Sequence, residues 1–402
     1  QGNDYPISYV RWTEQRNFEA ILYSMINWKI NPENLITHKF EFNDAKNAFN
    51  LLSSNENYLG IIILYKNANS NIENLIHIGE NEETKISKSS KNLVDFIGCG
   101  NYGRRILLPA FKNSKCNFNL LVSESGFKTY FVGKKFNFNK ISTKSDDVFK
   151  NKLSNTVVIS TRHDTHAEFV KKSIKSGKNV FVEKPLCLTL EELDEIENLY
   201  KFNDNSKKPI LMVGFNRRFS PLILEIKKLL SIYSGPRSFI YTCNAGFIDP
   251  NHWIQNKKIG GGRLLGEACH FVDLLYYLAG SNIENISLNQ MRKKNDQNDT
   301  FTIQIGFKNG SIGSIHYFSN GATSFPKEKL EIYTSGKIIC LTNYKKLEAW
   351  GIPGFLNKKL LIQDKGQKAC VSAFLDAINK GKESPIPIND IFEVQYKILS
   401  LR

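Results

Sequence analysis

No apolar run in the 402 residues approaches the roughly 20 needed to span a bilayer, so no transmembrane helix is expected. The chain also has no cysteines in C-x-x-C spacing. Its seven, at 99, 116, 187, 243, 269, 340 and 370, are odd in number and scattered, which argues against both a zinc knuckle and a disulfide framework. No signal peptide is visible, so reduced thiols and a cytoplasmic location are expected, with no bound metal. A net charge of +15 would attract anions, yet no long block of consecutive basic residues exists. Lysine is spread along the chain with abundant asparagine and isoleucine, which reads as a compositional bias. Nucleic-acid modules are missing, and neither nucleic acid nor membrane is expected as a partner. The chain opens at Gln1 rather than methionine, which leads us to expect a fragment or processed product.

What is present suffices for two or three cores, since hydrophobic residues make up 41% and aromatics 12%. Residues 1–65 read as a small α+β piece: helix 15–25, a turn at Asn31-Pro32, helix 43–52 and strand 59–65. Such a piece buries too little surface to be comfortable alone. Residues 66–91 are polar apart from an island at Leu75 and Ile76, and read as a linker. From 92 to 215 strands and helices alternate, with strands at 93–97, 118–122, 156–160, 179–182 and 210–213. Alternation of this kind predicts a doubly wound parallel sheet, the α/β Rossmann arrangement. Residues 216–402 then give strands at 237–244, 301–307, 311–318, 329–334 and 337–341, with a hairpin at Asn309-Gly310. This predicts an α+β domain with an open, mainly antiparallel sheet, covered on one face by helices 264–278, 369–379 and 390–399.

Gly98-Cys99-Gly100-Asn101-Tyr102-Gly103 follows the first strand and opens a helix. In a dinucleotide fingerprint Gly98 allows the tight turn, Gly100 the approach of a pyrophosphate and Gly103 the packing of helix on strand. Asn101 and Tyr102 lie within that turn. At the end of the second strand stand Ser123 and Glu124: an acidic residue there favours NAD, while Ser123 with Arg104, Arg105 and Lys128 leaves room for the 2′-phosphate of NADP, so either cofactor fits. The turn after the third expected strand, Thr161 to His166, falls beside the nicotinamide end, with Thr161, His163 and His166 as cofactor contacts; capping of the next helix by Asp164 or Thr165 competes. Glu183-Lys184-Pro185 ends a strand, where a lysine ammonium can exchange a proton with an alcohol oxygen. A later run, Gly260 to Asp273, spaces Glu267, His270 and Asp273 three apart, so that on a helix His270 could act as base with a carboxylate to orient it. Asn216 to Pro221 offers anion-binding groups or simply a solvated helix start.

Together these residues resemble the Gfo/Idh/MocA oxidoreductases, the glucose-fructose oxidoreductase and inositol dehydrogenase group, over residues 92 to 402. The resemblance rests on Gly98 to Gly103, the turn ending in His166, Glu183-Lys184-Pro185, Gly214 to Phe219, and the triple glycine leading to His270 and Asp273. It implies an NAD(P)-dependent enzyme acting on a secondary alcohol or ketone of a sugar, cyclitol or sugar nucleotide. Lys184 and His270 become the catalytic pair, Glu183 a cofactor-side residue, and Asn216, Arg218, Trp253 and Asp273 the substrate side. It also implies a homo-oligomer through the C-terminal sheet. Where the family carries an aspartate four residues before the histidine, this chain has Gly266, with Glu267 as a possible substitute about 100° further round a helix. Residues 5 to 65 resemble the C-terminal end of a zinc-type medium-chain alcohol dehydrogenase, through Tyr9 to Asn17 and Leu35 to Phe40. The order of the two resembles bi-domain oxidoreductases associated with surface polysaccharide synthesis. NAD-dependent glycoside hydrolysis and a non-catalytic dinucleotide or sugar sensor are the competing readings.

Overall fold

The computed structural model describes residues 5–65, 74–79, 93–202, 208–291 and 299–402. It divides into two compact units, Gln1–Glu73 and Asn74–Arg402. In the first, α1 (Glu14–Ile26) starts at Thr13, whose hydroxyl accepts a hydrogen bond from the Arg16 amide. β1 (Ile36–Glu41), α2 (Ala45–Leu52) and β2 (Gly60–Leu64) follow, with β1 and β2 pairing in parallel. β1 was not expected from the sequence: its residues alternate only between half-buried and exposed. Among the described residues of this unit only Ala48 and Leu51 are buried, so it has scarcely any core of its own.

The second unit begins with β3 (Leu75–His77), formed by the apolar island that the sequence places in a linker. It pairs antiparallel with β6 (Lys140–Ser142), and Leu75 packs against the core while Ile76 stays exposed; residues 66–73 and 80–91 lie outside the described residues. β4 (Leu93–Ile97), β5 (Asn117–Val122), β6 (Lys140–Ser142), β7 (Thr156–Ile159), β8 (Asn179–Val182) and β9 (Leu211–Val213) complete a sheet of order β3-β6-β5-β4-β7-β8-β9, parallel except at β3. β4 and β7 are wholly buried, as near-continuous apolar runs in a parallel sheet must be. The exception, Asp95, is satisfied by Asn119 at 2.8 Å, by Asn151 and Ser154, and by Lys178 at 3.6 Å. The chain leaves β4 toward β5 on one side and later adds β7 on the other, so their carboxyl ends flank the crevice where such sheets bind ligands. The accompanying helices are α3 (Leu108–Asn113), α4 (Gly126–Phe136), α5 (Asp146–Lys150), α6 (His166–Lys175) and α7 (Leu190–Lys201).

After α8 (Pro221–Ile232) come β10 (Ser238–Asn244), α9 (Cys269–Ala279), β11 (Ile283–Gln290), β12 (Phe301–Phe307), β13 (Ile312–Phe318), β14 (Glu328–Thr334), β15 (Lys337–Thr342), β16 (Lys346–Trp350) and β17 (Lys358–Lys359). Their order is β11-β12-β13-β10-β14-β15-β16-β17, antiparallel except between β10 and β13. The Asn309-Gly310 hairpin joins β12 to β13, and Ser335-Gly336, both at positive φ, turns β14 into β15. Two helices close the chain, α10 (Gln367–Lys380) and α11 (Ile388–Leu399). Residues 369–379 and 390–399 were expected to cover the second sheet; instead α10 packs on α3 and the turn after β9, and α11 chiefly on α9, α7 and β9. Phe374 meets Phe181 edge-on at 5.5 Å, and Gln395 bonds Leu186 N at 3.3 Å and Cys187 O at 3.0 Å. The C-terminus therefore braces the turn after β8, which carries Lys184.

Candidate active site

The three glycines meet different constraints. Gly98 has φ of +96°, and a Cβ there would lie 2.6 Å from the Ser160 carbonyl oxygen. A Cβ on Gly103 would lie 2.8 Å from Ser160 Oγ, the hydroxyl that donates to Gly98 O at 2.9 Å. A Cβ on Gly100 would have no atom within 4 Å, which leaves the backbone there open to a ligand. This is the cradle a dinucleotide pyrophosphate needs, at the start of a helical segment. That segment opens with a π turn, Gly103–Leu107, before α3. Pro109 has no N–H for the i→i−4 ladder and its ring crowds the preceding turn, so the helix widens there. Asn101 and Tyr102 are exposed on this turn, and Ser123 follows β5 with its amide bonded to Ser142 O at 3.2 Å.

The turn after β7 turns out to be a strut. Thr161 abuts Gly98, and His166, fully buried, has Nδ1 2.7 Å from Pro185 O and Nε2 3.3 Å from Thr161 O. Both ring nitrogens face backbone carbonyls, and the ring links the Thr161 and Lys184 turns. His163 donates from Nδ1 to Gly260 O at 2.7 Å and packs against Trp253 with centroids 4.9 Å apart. Burial, with Lys184 and His166 adding repulsion, lowers its pKa to about 3, so it is neutral. It too is a spacer, and Trp253 is left half-exposed at the mouth with the Arg162 guanidinium over its ring.

Lys184 leaves β8 half-buried and donates from Nζ to the carbonyl of Gly266. At the position where the resemblance implies an aspartate, Lys184 thus meets a backbone acceptor. A Cβ at 266 would stand 3.1 Å from His163 Cε1 and 3.2 Å from Ile254 Cδ1, so the imidazole and isoleucine occupy the space a side chain would need. Glu183, beside Lys184, is buried against Gly214, where a Cβ would come within 2.8 Å of its Oε1. Burial raises its pKa to about 7 against the pull of Lys184.

His270 is buried with Nδ1 unpartnered, its ring against Phe215. Burial first, then the charges of Arg217, Lys184 and Lys365, pushes it well below the ordinary imidazole value. It stands neutral, with one nitrogen free to exchange a proton. Neither carboxylate expected on its face reaches it. The helix opens with a second π turn, Leu264–Ala268, whose i→i+5 bonding takes Glu267 off the i,i+3 line. Glu267 accepts from the Tyr317 hydroxyl and pairs with Arg263 at 3.4 Å and Lys327 at 3.6 Å. Burial opposes its charge, but Lys327, Lys184, Tyr317 and Arg263 outweigh it and its pKa falls.

Of the expected substrate residues, three belong to the wall. Asp273 is fully buried with Arg218 Nε at 3.0 and 2.9 Å from its two oxygens, and Arg218 also holds Asp390 at 2.8 Å. Burial raises the Asp273 pKa to about 6 in spite of Arg218. Asn216 donates to Lys365 O at 2.6 Å. All three side chains are buried and already paired within the wall. Sequence reasoning missed a second buried cluster: Arg217 makes paired 3.1 Å bonds to Glu328, which also accepts from Lys365 at 2.7 Å and Tyr241 at 2.6 Å. A cavity of about 840 Å³ does open beside Gly261 and Gly262, but neither Lys184 nor His270 lines it. Among the described residues no group of three or more His, Cys, Asp or Glu is placed to hold a metal ion.

A parallel sheet with an open glycine turn at its switch point defines a dinucleotide-binding domain. Residues 93–215 match the model of an oxidoreductase family with an NAD-binding Rossmann fold, and residues 235–339 match that family's C-terminal domain. The two matches together take in more than half of the chain, which belongs to the Gfo/Idh/MocA family. The scyllo-inositol 2-dehydrogenase (NAD(+)) of Bacillus subtilis is 28% identical over 218 residues, 49% of this chain and 61% of its own length. The inositol 2-dehydrogenase of Rhizobium meliloti is 40% identical over 125 residues, 31% of this chain and 36% of its own. The chain thus spans less than two thirds of either relative. A levoglucosan dehydrogenase solved with NADH and levoglucosan superposes with a TM-score of 0.69 at 21% identity, covering 77% of this chain and 96% of that one, and shares the fold. Neither family model reaches residues 1–92.

Proposed function

We propose that the protein is an NAD(P)-dependent oxidoreductase acting on a secondary alcohol or ketone of a sugar, cyclitol or sugar nucleotide. The observation that carries this reading is a lysine ammonium and a neutral histidine with an unpartnered buried nitrogen, set at the carboxyl edge of a sheet whose glycine turn is open to a pyrophosphate. A nicotinamide dinucleotide bound there supplies the hydride acceptor or donor. The backbone at Gly98, Gly100 and Gly103 would hold its pyrophosphate, with Thr161 beside that turn. Lys184 would exchange the proton of the substrate hydroxyl, and His270 would take or return it through its free nitrogen. Glu267 would act at one remove, through its charge on Lys184. The strut of His166 and the brace of Gln395 would keep Lys184 in position.

Lys184→Met should keep dinucleotide binding while kcat falls by about 10²–10⁴, the range general acid–base catalysis supplies. An undiminished rate would overturn the assignment. Self-association through the second sheet belongs to the same reading. Its outer face carries a cross-strand row of exposed Ile312, Tyr333, Ile338 and Trp350, on β13, β14, β15 and β16. For residues 1–65 we keep the reading of a medium-chain dehydrogenase remnant without chemistry of its own, and for the whole a place in surface polysaccharide synthesis.

A further inference from the structure

The charges around Lys184 and His270 do not balance. Glu328 is shared by two cations, Arg217 and Lys365, and Glu267 is shared by two more, Arg263 and Lys327. Each carboxylate also accepts from one tyrosine, Tyr241 or Tyr317, which adds no charge. Lys184 rests on a neutral carbonyl. The two groups adjoin: Cys243 on β10 stands in register with Tyr317 on β13, which bonds Glu267, and with Glu328 on β14. Asp273 and Asp390 supply no relief, since Arg218 takes both. Glu183 is the remaining acid beside Lys184, and its burial leaves it only partly ionised at neutral pH.

An uncompensated cation in a partly buried site is costly, and an anion brought to it is held more strongly than in water. The pyrophosphate of a dinucleotide does not serve, because its cradle lies at the turn after β4, whereas these cations come from the turn after β9, the residue before β14, the residue before the π turn of α9 and the segment before α10. Access separates the four paired cations. The arginines Arg217 and Arg263 have side chains 7% and 2% exposed and are fixed in the wall. The lysines Lys365 and Lys327 are 18% and 48% exposed, and their flexible ammonium heads can turn to a ligand.

We propose that the substrate is an anionic sugar, with a carboxylate or phosphate seated on Lys365 and Lys327 while its alcohol carbon lies at Lys184 and His270. This rests on the oxidoreductase reading for the reacting end alone. A neutral cyclitol would leave the excess charge unmet.

The test uses the full chain with its preferred dinucleotide and matched panels: neutral hexoses and inositols, the corresponding uronates, and sugar phosphates with nucleotide-linked sugars. The acidic members should exceed their neutral counterparts by about tenfold or more in kcat/KM, a difference of about 1.4 kcal/mol. That advantage should shrink as added salt shortens the Debye length from about 10 Å at 0.1 M to about 3 Å at 1 M. It should fall toward unity in Lys365→Gln and in Lys327→Gln, the second at a half-exposed position where folding is not at stake. Uronate against phosphate tells which anion fits. Neutral sugars used as well as acidic ones, or a preference that survives both substitutions, would overturn the inference and leave the oxidoreductase reading intact. Titration of the same sugars into the NADH complex separates the opposite case: acidic sugars that bind through Lys365 and Lys327 but are never oxidised or reduced would uphold the anion seat and refute the chemistry. Failure of every acidic sugar to bind or react would remove the seat.

Discussion

Gly266 is where a family pattern and this chain part, and its surroundings explain the difference. His163, pinned to Gly260 O, and Ile254 fill the volume a side chain would need, so Gly266→Ala should lower stability by about 1–3 kcal/mol in a denaturant titration, the usual cost of overpacking. A neutral effect would mean that the imidazole gives way. Glu183 makes a pH-dependent prediction. Its folded pKa of about 7 lies above the ordinary 4.5, so protonation favours the fold. The stability it contributes is full below about pH 4.5 and is lost as pH rises through about 7, an effect of up to about 3 kcal/mol. Glu183→Gln should therefore melt increasingly above the parent as pH goes from 5 to 8, and a constant difference in Tm would refute the shift. Lys184 and His270 could be singled out in the sequence because each sits in a short local motif. Arg217 was visible as a basic residue, but its partner Glu328 is 111 positions away, and no spacing rule connects them.

Elements were legible where a period or a turn residue imposes itself. The buried runs of β4 and β7 and the Asn309-Gly310 hairpin are of that kind. β1 and β11 were missed because polar residues interrupt them, and β3 because three residues are too few to set a period. The π turn before α9 had no signal, since helical spacing alone puts Glu267, His270 and Asp273 on one face; the wider turn hands Glu267 to Tyr317 instead. Between elements, Glu328 on β14 ties the turn after β9 to the segment before α10 through Arg217 and Lys365. Glu328→Gln would leave buried Arg217 and half-buried Lys365 sharing a neutral amide, and should cost about 3–5 kcal/mol in urea unfolding. A loss under 1 kcal/mol would show that the cluster relaxes or admits water.

On the scale of the whole molecule, the excess of lysine that first reads as compositional bias has a local meaning at Lys184, Lys327 and Lys365, though +15 as a total does not reveal it. The apolar row on the outer sheet predicts that Tyr333→Lys with Trp350→Lys shifts the mass seen by light scattering from an oligomer to a monomer; an unchanged mass would place self-association elsewhere or remove it. The parallel sheet was readable because strand and helix periods alternate, whereas the return of α10 and α11 to the first sheet depends on contacts such as Gln395 with Leu186, far apart in sequence. The central claim is that the Gly98–Gly103 turn holds a nicotinamide dinucleotide beside Lys184. Its most direct measurement is equilibrium titration of the full chain with NAD, NADH, NADP and NADPH, alongside a Gly100→Asp variant that places a carboxylate in the open cradle. Saturable binding of at least one dinucleotide, weakened at least tenfold by the substitution, is the predicted result, about 1.4 kcal/mol; no binding of any of the four, or binding indifferent to Gly100, would contradict it.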